Sequence, residues 1–135
     1  MKRIVTMMLA GATLAACGQP APDRRTEPAA SPVPDCGTFL LGQGEKVPAD
    51  AATCLIDAAK AGRVTTLKVT SPTVEGDPIP VTYAARPDGR VDVTTDSRAD
   101  NFGEQTISRE TCSEPALTRD GIAFTECSDL LRVEE

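Results

Sequence analysis

The residues with chemistry to offer gather in two short stretches. Thr73-Val74-Glu75-Gly76-Asp77-Pro78-Ile79-Pro80 sets two carboxylates about a glycine, and Asp96-Ser97-Arg98-Ala99-Asp100 follows beyond two apolar runs. Paired carboxylates act as acid and base in glycoside hydrolysis, and carboxylates with backbone carbonyls suit a hard cation such as Ca²⁺. The chain has no histidine, which excludes Ser–His–Asp and Cys–His nucleophiles. It has neither G-x-x-x-x-G-K-[ST] nor G-x-G-x-x-G, so standard nucleotide loops are absent. A hydrolase using Glu75 or Asp77 is the remaining enzymatic reading, and three Phe, one Tyr and no Trp supply little stacking surface for sugars. The acidic spacing matches no EF-hand loop. Glu75, Asp77, Asp96, Arg98 and Asp100 are therefore expected to form a recognition or ion-pair patch, with no catalytic group, metal or cofactor. The plainer alternative is turn chemistry closed by an Arg98–carboxylate ion pair.

The five cysteines say more about where the chain works. Met1-Lys2-Arg3 is a basic start, Ile4 to Leu14 is an apolar run, and Ala15 and Ala16 lead to Cys17. An apolar run this short falls below the roughly 20 residues a spanning helix needs, so residues 1–16 are expected to be a secretory signal. Leu14-Ala15-Ala16-Cys17 resembles the bacterial lipobox, which implies lipidation of Cys17; two or more acyl chains give stable anchoring, at about 0.8 kcal/mol per buried CH₂. Residues 17–35 carry five prolines and almost no bulky apolar side chain, the composition of an extended tether reaching about 55 Å in polyproline II. Gly18 stands where an aspartate would resemble an inner-membrane retention signal. An outer-membrane position facing the periplasm is thus expected if the cell has two membranes.

Cys36, Cys54, Cys112 and Cys127 remain, and four cysteines in an exported chain imply two disulfides with three possible connectivities. The sequence-local pairing, Cys36–Cys54 with Cys112–Cys127, is the first choice. A metal site is disfavoured because no C-x₂-C spacing occurs. From Cys36 onward, 10 Lys and Arg face 17 Asp and Glu, a net charge of −7. That argues against nucleic acid or an anionic membrane surface as partner.

The elements that must position the acidic stretches come from one domain, 36–135. "VPADAATCLIDAAKAGR" predicts a helix with Asp50 as N-cap, Gly62 at the C-terminal turn, and Ala51, Cys54, Leu55, Ala58 and Ala59 on the buried face. "TLKVT" predicts a strand with Leu67 and Val69 inward. "ARPDGR" predicts a hairpin in which Arg86 pairs with Arg90, setting Ala85 opposite Val91, Tyr83 opposite Val93 and Val81 opposite Thr95. Ile79, Val81, Tyr83, Val91 and Val93 then share one face, with Thr82 and Asp92 on the other. "TRDGI" repeats the turn logic, but the same register pairs Cys112 with Ser128 and leaves Cys112 and Cys127 on opposite faces. A two-residue loop, a rotation of Cys112 at Pro115, or another disulfide connectivity would each resolve the conflict, and Pro115 makes the rotation the favoured one. With a strand around Ile107, the expectation is α+β: one N-terminal helix on a mainly antiparallel sheet of about five strands. Antiparallel pairing brings the start of one hairpin strand beside the end of its partner, so the two acidic stretches should meet at one sheet edge.

Thr73-Val74-Glu75-Gly76-Asp77-Pro78-Ile79, the extended pair, Asp96-Ser97-Arg98 with Asp100, Phe102 and Gly103, and Cys112 together resemble a family of small exported bacterial proteins. Many of its members are lipid-anchored, and the family is known only as a domain of unknown function. The T-x-E-G-D-P-I core is the specific part, and the likeness spans about 65–112. In the family's pattern Asp follows Arg directly, whereas Ala99 intervenes here. The resemblance implies export and domain extent and transfers no activity. The expected function is a membrane-anchored envelope lipoprotein serving as a non-catalytic binding or accessory module, partnered by the bilayer through Cys17 and by an envelope protein. Inhibition of a basic secreted enzyme such as a lysozyme, or a small carboxylate-dependent hydrolase, are the alternatives.

Overall fold

The computed structural model describes residues 35–133. The expected signal segment 1–16, the expected lipidation site Cys17 and the expected tether up to residue 34 lie outside the described residues. The chain runs β1 (Asp35–Leu40), α1 (Ala49–Lys60), β2 (Thr65–Pro72), β3 (Pro78–Ala85), β4 (Val91–Asp96), β5 (Ile107–Ser113), β6 (Ala116–Thr118), β7 (Gly121–Ala123), β8 (Glu126–Cys127) and β9 (Leu131–Arg132). One helix lies with a seven-stranded sheet ordered β1-β2-β3-β4-β5-β8, in which β9 also pairs with β5. The fold is α+β as expected, with more strands than the five anticipated.

The additional strand at the front is β1, which pairs with β2 in parallel. With α1 as crossover it makes a β-α-β unit at the edge of an otherwise antiparallel sheet. Its register shifts between Asp35 and Thr38, so Cys36 and Gly37 together oppose one residue of β2. Gly37 has φ +114°, and a bulge of this kind hides a strand from a search for strict alternation.

α1 starts at Ala49, after Pro48, whose carbonyl accepts the Ala52 amide (3.0 Å). Asp50 is therefore not the N-cap; it lies in the first turn, where a carboxylate meets the positive end of the helix dipole. The C-terminus closes as expected around Gly62, at φ +63°. The Gly62 amide bonds Ala59 O and the Arg63 amide bonds Ala58 O (3.0 and 2.8 Å), the paired bonds of a Schellman turn. The buried stripe is Ala51, Ala52, Leu55, Ile56, Ala58 and Ala59. Cys54 is exposed, which corrects its expected place on the buried face. Helix contacts to β6 and β7 as well as to the sheet widen the stripe and rotate it toward Ala52 and Ile56, leaving Cys54 on its flank.

Leu55 meets Leu67, Val69, Ala85, Val91, Val93 and Cys112 in the core between helix and sheet. The β3–β4 hairpin has the register read from its turn: Val81 faces Thr95, Tyr83 faces Val93 and Ala85 faces Val91. The Arg86 amide bonds Arg90 O at 2.9 Å, and Gly89 takes φ +82°.

In the C-terminal hairpin Thr118 pairs with Gly121, so the loop has two residues, Arg119 and Asp120. That register puts Cys112 directly opposite Cys127. The same offset holds on both sides of Glu114–Pro115, where the ladder is interrupted and Glu114 has φ +51°. The loop length, and not a rotation at Pro115, resolves the conflict. The disulfides are Cys36–Cys54 and Cys112–Cys127, the sequence-local pairing. They place the domain in an oxidising compartment, outside the cytosol. No helix among the described residues is long and apolar enough to cross a membrane.

Candidate functional site

β2 and β3 are joined by the 73–77 loop and β4 and β5 by the 97–106 loop, and both loops leave the same end of the sheet. The first is a tight turn. Thr73 N bonds Asp77 O (2.8 Å), Gly76 N bonds Thr73 O (3.0 Å), and the Thr73 hydroxyl accepts the Asp77 amide (3.0 Å). Gly76 sits at φ +100°, a backbone shape that L side chains resist. Pro72 and Pro78 face each other where β2 ends and β3 begins.

Asp77 does not point into a shared acidic cluster. It reaches the second loop and accepts two hydrogen bonds from Asn101, one from the backbone amide and one from Nδ2, each 2.9 Å. Asp100 folds back on its own turn, Oδ1 accepting the amides of Phe102 (2.9 Å) and Gly103 (2.8 Å). A Cβ at Gly103 would collide with the Asp100 carboxylate. Asp96 takes Arg98: Nε donates to Oδ1 (3.0 Å), Nη2 to Oδ2 (2.8 Å), and the Arg98 amide also donates to Oδ1 (3.1 Å). These bonds to Arg98 hold the Asp96 carboxyl below the usual aspartate range, as hydrogen bonding to the charged form does. Ser97 closes the loop base, its hydroxyl within 2.7 and 2.9 Å of the Glu104 and Thr106 carbonyls. Arg132 of β9 adds an ion pair to Glu104 at 2.6 Å.

Of the five expected patch residues, the structure brings Asp77, Asp96, Arg98 and Asp100 to one end of the sheet, and Glu75 stands on the first loop beside them. Glu75 is exposed and makes no hydrogen bond or ion pair among the described residues. The carboxylates act mainly on amides and on Arg98 and do not converge on a common point. Among the described residues, the group of three metal-capable side chains close together is Glu110 with Cys112 and Cys127, and both sulfurs belong to a disulfide.

Three apolar side chains at this end were not part of the expected patch. Val74 is 91 % exposed at the tip of the first loop, Phe102 is 77 % exposed on the second, and Leu40, at the end of β1, is 81 % exposed. Gln43 Nε2, just after β1, bonds Thr73 O, so the β1 end is tied to the same corner. A loop Phe or Val carries no spacing signature, and only the scarcity of aromatics in this chain marks Phe102 as unusual. An open depression of 410 Å³ lies alongside, lined by Pro78, Pro80, Asp96, Arg98 and Ala99.

Asp35, where the described chain begins, pairs with Thr66 at the other end of the sheet. The eight residues of β2 separate the two ends by about 23 Å at roughly 3.3 Å per residue. The opposite end carries a second charged group. Asp88 binds Arg90 (2.8 Å) and Arg86 (3.2 Å), and hydrogen bonds from Arg90 lower its carboxyl to about 2. On the helix-covered face, a 280 Å³ cleft floored by Val69, Val81 and Tyr83 is bridged at its rim by Lys46 and Asp120 (3.2 Å). Tyr83 stacks on Phe124 at 6.4 Å. Its hydroxyl is raised above its ordinary pKa by burial and then by the Glu110 charge.

No family model, curated protein or solved structure matches the chain.

Proposed function

We propose that this chain is a lipid-anchored, non-catalytic binding module of the cell envelope, held through Cys17 and acting through the end of the sheet that carries Val74, Asp77 and Phe102. The observation that carries this reading is the position of that end. Asp35, the first described residue, pairs at the end of the sheet opposite the 73–77 and 97–106 loops. The two disulfides agree with export. A hydrolytic role draws no support from the corner, because Asp77 is committed to Asn101 and Glu75 lies exposed with no partner among the described residues to orient it.

Two measurements test the reading. Cys17→Ser should abolish palmitate labelling and move the protein out of the membrane fraction; unchanged membrane association refutes the anchor. Photocrosslinkers placed over the whole domain surface in living cells should give a reproducible adduct with one envelope protein, which then binds the purified full chain. Blank results from every position in several growth conditions refute the binding module.

A further inference from the structure

We propose that Val74 and Phe102 are paired anchors for a protein partner whose contact surface is an apolar cleft rimmed by Lys and Arg. The inference rests on the binding-module reading and names the class of partner for that site. The chain has only three Phe and one Tyr, and Phe39, Tyr83 and Phe124 pack against the core of aliphatic side chains and cysteines. A phenylalanine left 77 % exposed contributes little to folding. It is nonetheless held in place: Asp100 binds the Phe102 amide and the next one, and Asp77 grips the Asn101 amide just before it. Both loops are thereby fixed before any partner arrives, which reduces the ordering cost of binding. Aromatic residues, Phe included, are enriched at the cores of protein interfaces, so Phe102 is the principal anchor and Val74 the apolar contact beside it.

The charges around the tips select the partner. Glu75, Asp77, Asp100 and Glu104 on these two loops, with Asp96 at the end of β4, outnumber Arg98 and Arg132, which pair with Asp96 and Glu104. This surround disfavours insertion of the tips into an anionic bilayer and favours a basic rim, by electrostatic complementarity. An apolar centre inside a charged border is the anatomy of a protein contact.

The test places a photocrosslinking amino acid at position 74, 102, 82 or 117 of the full chain in its own cells. Thr82 lies on the sheet face away from the helix, and Leu117 on the β6–β7 hairpin. The expected result is one protein adduct shared by positions 74 and 102 and absent from 82 and 117. Phe102→Ala should lower the position-74 adduct at least about tenfold, as for an interface anchor, with an unchanged melting temperature. Glu75→Lys and added salt should each lower it several-fold. Adducts from 74 and 102 to lipid or to a second copy of this chain overturn the proposal, as does a protein adduct indifferent to Glu75→Lys. Adducts from 82 or 117 alone overturn it and leave the binding module standing. Silence at all four positions overturns the paired anchors, whereas the binding module falls only if the scan of the whole surface is also blank.

Discussion

Asp77→Ala isolates the contact that joins the two loops. The aspartate accepts two hydrogen bonds from Asn101 at 2.9 Å, both in exposed surroundings. Hydrogen bonds to a charged acceptor contribute about 1.5–3 kcal/mol each when well shielded, and ordinary ones about 0.5–1.5. Exposure puts this pair at the lower end, so the loss is about 1–2 kcal/mol. The bonds tie loop to loop and leave the sheet ladders intact, so the cost falls mainly on local opening. At 1.4 kcal/mol per factor of ten, the Asn101 amide should exchange with solvent about tenfold faster. The Val91 and Val93 amides, within the hairpin ladder, should keep their protection. The assay is native-state hydrogen exchange on wild type, Asp77→Ala, Asn101→Ala and the double variant. The cycle should return a coupling of about 0.5–1 kcal/mol, because Asn101→Ala removes only the Nδ2 donor. Unchanged Asn101 exchange in a folded Asp77→Ala protein refutes the account of a pinned corner. So would a uniform rise in exchange across the sheet.

Two further expectations concern the body of the domain. Replacing Cys112 and Cys127 by alanine opens a link between residues 15 apart; the chain-entropy estimate is about 3 kcal/mol, or a fall in melting temperature of about 10–20 °C for a domain this size. A loss under about 1 kcal/mol in denaturant melts would contradict it. Tyr83 is the sole tyrosine, so the tyrosinate absorbance band reports one group. Burial and Glu110 raise its pKa, so the neutral phenol favours the folded state; that contribution is complete below pH 10 and lost as pH rises through the raised value. The titration midpoint should lie above 10, and Tyr83→Phe should remove this alkaline component of unfolding. A midpoint at or below 10 in the folded protein would count against the burial argument.

The sequence disclosed this fold unevenly, for physical reasons. In Arg86-Pro87-Asp88-Gly89-Arg90 the turn chemistry and the apolar alternation of its strands specify the same register, and the hairpin follows it residue for residue. Thr118-Arg119-Asp120-Gly121 looks like the same turn but closes with two loop residues. Side chains alternate with a period of two, so that single residue decides whether Cys112 meets Cys127. β1 went unseen because the bulge at Cys36–Gly37 breaks its alternation and its parallel partner lies beyond the helix. Cys54 was misplaced because helical periodicity describes a stripe but not how far neighbouring elements will widen it. At the corner, antiparallel geometry was enough to bring the two acidic stretches to one end. The contact that joins them was not legible, since an asparagine in a loop gives no pattern to find.

The Cys36–Cys54 bridge also sets the path by which mechanical load enters the domain. Cys36 is the second described residue, one position beyond the point where the chain joins β1. An edge strand pulled from its end unzips one hydrogen bond at a time, which resists force weakly. Here, tension arriving from upstream reaches Cys36 almost at once and passes through sulfur into the middle of α1. The helix is seated on the sheet by Leu55 and its neighbours, so the pull is borne by the whole core in shear. Any tension entering at Asp35 is thereby taken up at the centre of the domain, on a path that bypasses the corner with Val74 and Phe102.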